Sequence, residues 1–405
     1  MDTCPTRGRP KPPAHQLHSL TSLRGLAALW VVLFHYSAIY FPRLDVGDYT
    51  SLIAKGYLAV DLFFMLSGFV MTHVYYRAFS ESITKHYRNF LVARIARLYP
   101  LHLVVLLLFV ATAFTSQLLL YIKTGSSQGI PLEGPRSFSA LVANLFMLQG
   151  IAAGQLSWNY PAWSISIEFI AYLGFPFALP AIWRANAPVK FVITLFLIAA
   201  IGLLAFLTKD NFNQWDGPIT LLRCLPEFIL GTLLYSVYRS GSYNPFLRRD
   251  SVAMAILAAV FLTLHFGGPD FLIAFLFAGL ILAAVSNSGV FARWLNIAPL
   301  LWLGDISYSL YLLHGFVQFL ATKFLESFGF HDRSDLSPSL SLVLLTVMVA
   351  ACLISSAITY WSVETVWRSY LRKFLGSDAH AVQPPAINNA GPEGSPELAI
   401  LPQPK

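Results

Sequence analysis

The chain is poor in charge. Only 12% of its 405 residues are Asp, Glu, Lys or Arg, against about 25% in an ordinary soluble domain. Hydrophobic residues make up 56%, and the mean hydropathy is +0.61. That balance excludes a water-soluble protein built on one core, because too little polar surface remains to cover it. Cysteine is scarce as well. Cys4, Cys224 and Cys352 lie far apart, which excludes a disulfide framework, a CxxC pair and any cysteine-based metal spacing; no metal site is expected. No apolar run alternates in the manner of a barrel strand, so the spans must be helices. No internal repeat of the kind that builds many transporters is visible either.

What the chain does have is long apolar runs. A bilayer-crossing helix needs about 20 mostly apolar residues. Ten segments qualify: 21–41, 57–76, 98–120, 161–183, 189–207, 218–238, 251–267, 270–287, 303–322 and 340–363. A shorter piece, 138–151 ("FSALVANLFMLQGI"), has the length of a re-entrant or interfacial helix. Charge decides how to count it. With the N-terminus inside and 138–151 not crossing, 18 Lys and Arg fall on the cytoplasmic side and 7 outside, as the positive-inside rule requires. If 138–151 crossed, Arg248–Arg249 and the Arg368, Arg372, Lys373 cluster would face outward. The expectation is an all-α integral membrane bundle of about ten transmembrane helices, multi-pass in a cell membrane, with both termini cytoplasmic. Its partner is the lipid bilayer, and the net charge of +7 reflects inner-surface bias and calls for no nucleic acid. Residues 1–18, basic and proline-rich, read as a cytoplasmic leader to an uncleaved first span. Residues 19–370 form the membrane domain, and residues 371–405, rich in Pro, Ala, Gly and Asn, read as a disordered cytoplasmic tail.

Against this apolar background the ionisable residues stand out, because each is costly inside a membrane and tends to face a protein interior or wet cavity. The first span, "TSLRGLAALWVVLFHY", holds Arg24 and His35. Eleven helical residues turn the chain about 20° past three full turns, so both side chains share a face, about 16 Å apart along the axis. Arg24 alone reads as a snorkelling side chain; the pair on one face suggests function, since histidine transfers protons well near neutral pH. In "RNFLVARIARLYPLH", Arg94 and Arg97 are spaced i, i+3. They are ordinary membrane anchors taken singly, but with Arg24 they could form a site for a polyphosphate. In "PAWSISIEFIAYLGFP", Ser164 and Glu168 face together at i, i+4; the carboxylate should pair with an arginine or orient a histidine. In "LGDISYSLYLLHGF", Ser307, Tyr311 and His314 make one polar stripe, whose bland reading is aromatic packing. Arg223 and Glu227, at i, i+4, are expected to pair with each other, and Ser67–Gly68 to allow close helix contact.

The segments "LRGLAALWVVLFHY", "DLFFMLSGFVMT", "RIARLYP", "WSISIEF" and "SYSLYLLH" together resemble the acyltransferase family 3 membrane proteins, a family that includes polysaccharide O-acetylases and antibiotic acylases. The resemblance covers about residues 19–370. It implies a membrane-embedded O-acyltransferase that moves an acyl group, by default acetyl, from cytoplasmic acyl-CoA to a hydroxyl of a sugar, exopolysaccharide or glycolipid. Acyl-CoA would be a co-substrate, with no bound cofactor. The family's first-span Arg and His fall on Arg24 and His35, its RxxR pair on Arg94 and Arg97, and its Trp-Ser-x-x-x-Glu motif on Trp163, Ser164 and Glu168. The histidine of its late motif falls on His314. His35 and Glu168 would be catalytic, and Arg24, Arg94, Arg97, Trp163, Ser164 and His314 would bind substrate. One departure is Ala93, where family members often carry a basic residue. Some members of the family fuse an extracellular hydrolase-like domain to the C-terminus; with about 30 residues after the last span here, the whole reaction is expected to run in the membrane domain. The competing class is a proton-coupled transporter of a small anion or sugar, which intramembrane Arg, His and Glu would serve equally well; a covalent acyl product separates the two.

Overall fold

A computed structural model of the chain describes residues 15–44, 46–125, 132–153, 157–214, 217–241 and 244–375. Most of the expected leader and tail, with Cys4, Arg7, Arg9 and Lys11, lies outside these residues. Among the described residues all regular structure is helical.

The first apolar run forms α1 (His15–Leu33), which passes into a π-helical segment, Phe34–Tyr40. His35 therefore sits one residue past the change of winding. Short helical turns at Pro42–Leu44, Val46–Tyr49 and Gly56–Leu58 lead into α2 (Ala59–Glu81), and Ser82 caps the next helix, α3 (Ile83–Thr124), by accepting from the Lys85 amide. Helix α3 has 42 residues and is about 63 Å long, so it absorbs both the RxxR segment and the expected span 98–120, with Pro100 inside it. The piece 138–151 breaks into α4 (Phe138–Leu145) and the single turn Gln149–Ala152. Eight helical residues reach about 12 Å, far less than a bilayer core.

Then follow α5 (Trp163–Arg184), α6 (Ala187–Leu207), α7 (Leu221–Ser240), α8 (Asp250–His265) and α9 (Asp270–Ser286). Helix α10 (Ala298–Asp305) meets α11 (Ser307–Ser327) at a bend of 64°. Helix α12 (Pro338–Thr359) continues through a second π-helical segment, Tyr360–Glu364, into α13 (Thr365–Leu375).

Each of the ten expected spans coincides with a helix, but length and hydropathy qualify seven as spanning, or eight if the bent α10–α11 pair is one span. Helices α8 and α9 have 16 and 17 residues, short of the roughly 20 that a membrane core needs. Helix α6 and the α12 stretch carry apolar side chains outward, with Phe196 and Ile354 largely exposed, as lipid-facing surfaces do.

Two close crossings set the geometry of the interior. Helices α2 and α7 touch through glycines: a Cβ on Gly68 would lie 1.9 Å from the Phe228 carbonyl oxygen, and one on Gly231 would lie 2.0 Å from that of Met65. Helices α1 and α10 cross through Gly25 and Gly304 in the same manner, with a Gly304 Cβ placed 2.2 Å from the Thr21 carbonyl oxygen. Small residues allow this approach, and dispersion and backbone contact then hold helices that the hydrophobic effect cannot hold in lipid.

Candidate active site

A cavity of about 320 Å³ opens between α1, α2, α3, α5 and α11, and Arg24, Arg94, Arg97, Ser164 and Glu168 all line it. The close α1–α10 crossing brings Arg24 to the bend between α10 and α11. There its Nε donates to Ser307 Oγ at 3.1 Å and its guanidinium to the Gly304 carbonyl at 3.3 Å. Arg94 donates to the Tyr75 hydroxyl and to Met71 sulfur, both at 3.3 Å, while its Nε is buried without a partner. Neither arginine has a carboxylate within ion-pair distance among the described residues. Two half-buried cations with only neutral partners leave a strong positive field in a confined space, which favours an anionic occupant.

Arg97 differs. It bonds Glu364 at 2.7 Å and lies over the Tyr308 ring. Glu364 is almost fully buried, takes Arg368 at 2.6 Å on the same oxygen, and accepts from Ser309 on the other. It sits at the end of the second π-helical segment. It falls one residue past the expected last span, 340–363, in "YWSVETVWRS", and the acid's place beside an apolar stretch could have drawn attention to it.

Among the described residues Glu168 hydrogen-bonds neither an arginine nor a histidine. Ser67 and Tyr172 donate their hydroxyls to one of its oxygens, the latter at 2.5 Å. Expected to orient His35, it has no hydrogen bond to that ring; it sets the wall on which Arg94 lies, with the Arg94 guanidinium 6.0 Å from the centre of the Tyr172 ring. Trp163 is not part of the lining. It packs edge-on against Phe64 and under the Arg223 guanidinium at 5.9 Å. Arg223 in turn pairs with Asp61 through two bonds of 2.8 and 2.5 Å and does not pair with Glu227, whose carboxyl oxygens are buried without hydrogen-bond partners. The i, i+4 spacing was a weaker guide than the α2–α7 contact, which puts Asp61 within reach.

The histidines lie beyond the cavity. Ser164 shares a 2.6 Å hydrogen bond with Tyr311, and one helical turn further along α11 His314 meets His35, ring centre to ring centre at 4.9 Å. His35 Nδ1 bonds the Val31 carbonyl at 2.9 Å, and His314 Nδ1 bonds the Tyr311 carbonyl at 2.7 Å. A carbonyl can only accept, so in each neutral ring Nδ1 carries the proton and Nε2 keeps its lone pair. His314 Nε2 is buried without a partner. Two imidazoles are thus held in the tautomer that accepts a proton at Nε2. Sequence reading placed His35 and His314 on separate polar faces; nothing in either helix alone could show that they meet.

The second face of this layer is another cavity, of about 460 Å³, lined by Arg136, Trp158, Tyr160, Gln318 and Phe319 among others. Tyr160 lies 4.9 Å from His35 and 5.6 Å from His314, between ring centres. Along α11 the order is Ser307 and Tyr311 at the first cavity, His314, then Gly315 and Gln318 at the second. Helix α3 repeats it with Arg97 and then Phe109. The two cavities are therefore stacked along the bundle with the histidines between them.

Comparison with known proteins identifies a family and its relatives. A family model described as an acyltransferase domain matches residues 17–361. An O-acetyltransferase, OatA, of Staphylococcus aureus is 26% identical over 329 residues, which cover 74% of this chain and 50% of that protein. The acyltransferase MdmB of Streptomyces mycarofaciens is 29% identical over 332 residues, covering 74% of this chain and 78% of the relative. A protein from the picA locus of Rhizobium radiobacter is 35% identical over 198 residues, 47% of this chain and 95% of its own length. The chain thus spans about half the length of OatA, the first of these relatives. No solved structure gives a significant match.

Proposed function

The chain belongs to the acyltransferase family whose domain its residues 17–361 match, and from that premise we propose that it is a membrane O-acyltransferase using acyl-CoA, by default acetyl-CoA, and acylating a hydroxyl of a carbohydrate or glycolipid. The observation that carries this reading is the convergence of Arg24 and Arg94, both without carboxylate partners among the described residues, on one cavity whose Tyr311 neighbours the His35–His314 pair. The printed activities of OatA and MdmB support acyl transfer as the reaction class.

In this reading the phosphates of CoA lie against Arg24, Arg94 and Arg97, at the end of the bundle that the positive-inside bias assigns to the cytoplasm. The thioester arm extends past Ser164 and Tyr311 toward the histidines. Nε2 of His35 takes the proton from the acceptor hydroxyl while that oxygen bonds the thioester carbonyl carbon. The carbon–sulfur bond then breaks, and the proton passes from His35 to the leaving thiolate to give free CoA. His314 lies beside His35 in the same tautomer and, while neutral, adds no like charge to oppose protonation of His35. General base catalysis of this kind supplies about 10²–10⁴-fold. His35→Ala should therefore lower transfer of labelled acetyl groups to a carbohydrate acceptor at least 100-fold in membranes holding equal amounts of protein. Transfer at the wild-type rate by that variant would remove His35 from the reaction.

A further inference from the structure

The second cavity has no part in holding the donor. It shares no lining residue with the arginine cavity and reaches the histidines from the opposite side through Tyr160. Its volume of about 460 Å³ falls in the ordinary range of small-molecule sites, about 300–1,000 Å³. Its walls are of mixed chemistry. Tyr160 and Phe319 contribute aromatic rings to the lining. The Tyr160 hydroxyl donates to Gln318 Oε1 at 2.7 Å, which fixes the amide and turns its N–H groups elsewhere. Arg136, on a short turn before α4, lies over the Phe319 ring with its guanidinium 4.8 Å from the ring centre.

Arg136 is the informative residue. It is half-buried, yet among the described residues no carboxylate lies within ion-pair distance of it. Glu133 lines the same cavity but is exposed and makes no ion pair with it. Burial holds the Arg136 guanidinium below its ordinary pKa. A half-buried guanidinium stacked on a ring face still presents donors in the fork geometry that suits a carboxylate or phosphate.

We propose that this second cavity is the acceptor site and that Arg136 fits it to a saccharide bearing a negative charge, as a carboxylate or a phosphate. The inference rests on the acyltransferase reading above and extends it to the acceptor class. The sugar hydroxyl would face His35 past Tyr160, while the anionic group would sit on Arg136.

The test uses the full chain in nanodiscs with labelled acetyl-CoA and three disaccharides: cellobiose, the same disaccharide with one ring oxidised to glucuronate, and cellobiose 6-phosphate. Each keeps free hydroxyls, so only the charge and its source vary. Wild-type protein should acetylate at least one charged disaccharide with kcat/KM about tenfold or more above cellobiose, and the better of the two identifies the anion. Arg136→Gln should bring that ratio to within about twofold, and Arg136→Lys should keep part of it. Equal use of cellobiose by wild type, or a preference for charge that persists in Arg136→Gln, would overturn the assignment. Failure to acetylate any of the three by protein that still binds acetyl-CoA would overturn the acceptor site alone. Failure to bind acetyl-CoA would overturn the reading on which it rests.

Discussion

Single residues divide into those whose sequence context announced them and those that only the packed structure explains. Arg24, Arg94, Arg97, Ser164 and Glu168 were recognisable because an apolar span makes any polar residue conspicuous, and one cavity does gather them. Their partners were not recognisable. Arg223 finds Asp61, 162 positions away in sequence, because partner choice is decided by helix contacts and not by spacing along one helix. The two acids near Arg223 should therefore respond differently. Asp61→Asn removes the carboxylate that is ion-paired with a buried guanidinium and should cost about 3–5 kcal/mol. Glu227→Gln removes no ion pair and should cost about 1 kcal/mol or less. Thermal unfolding of the detergent-solubilised variants reads the difference, and equal losses would contradict the Asp61–Arg223 assignment.

At the level of elements, helix positions were legible and helix endings were not. Each expected span found a helix because 20-residue apolar runs have one stable backbone solution in lipid. The π-helical segments at Phe34–Tyr40 and Tyr360–Glu364 have no hydropathy signal, yet they place His35 and Glu364, and such segments often mark functional positions. The glycine crossings were legible only in part. Gly68 does permit contact, but its neighbour Ser67 serves Glu168. Gly68→Ala and Gly231→Ala would drive a methyl group into partner backbone, and each should reduce folded yield sharply by fluorescence-detected size exclusion, whereas Gly174→Ala, with open space at its Cβ, should not. Glu364→Ala should destabilise by about 3 kcal/mol, the lower end for a buried pair because Arg97 and Arg368 are partly exposed. It should also weaken acyl-CoA binding, since Arg97 loses the contact that aims it; unchanged affinity and unchanged melting would contradict a positioning role.

For the molecule as a whole, the sequence supported an all-helical membrane bundle, and its family resemblance is matched over residues 17–361. The number of crossings was less legible, because α8 and α9 are apolar but short, and composition cannot say whether such helices cross, tilt or stop. A reporter fused after residue 136 should appear outside and one after Arg248 inside if all ten segments cross; reversal of either would contradict that topology. The stacking of two cavities about a histidine layer was not legible at all, since it is assembled from α1, α3, α5 and α11 together. It carries the central claim, that donor binding and chemistry occupy different levels of one bundle. The most direct measurement compares wild type, His35→Ala and Arg94→Ala/Arg97→Ala in nanodiscs for acetyl-CoA binding and for CoA release on adding a saccharide acceptor. Binding lost in the arginine variant, with binding kept but turnover lost in the histidine variant, is the predicted result. Folded wild-type protein that binds no acetyl-CoA, or a histidine variant that turns over normally, would contradict it.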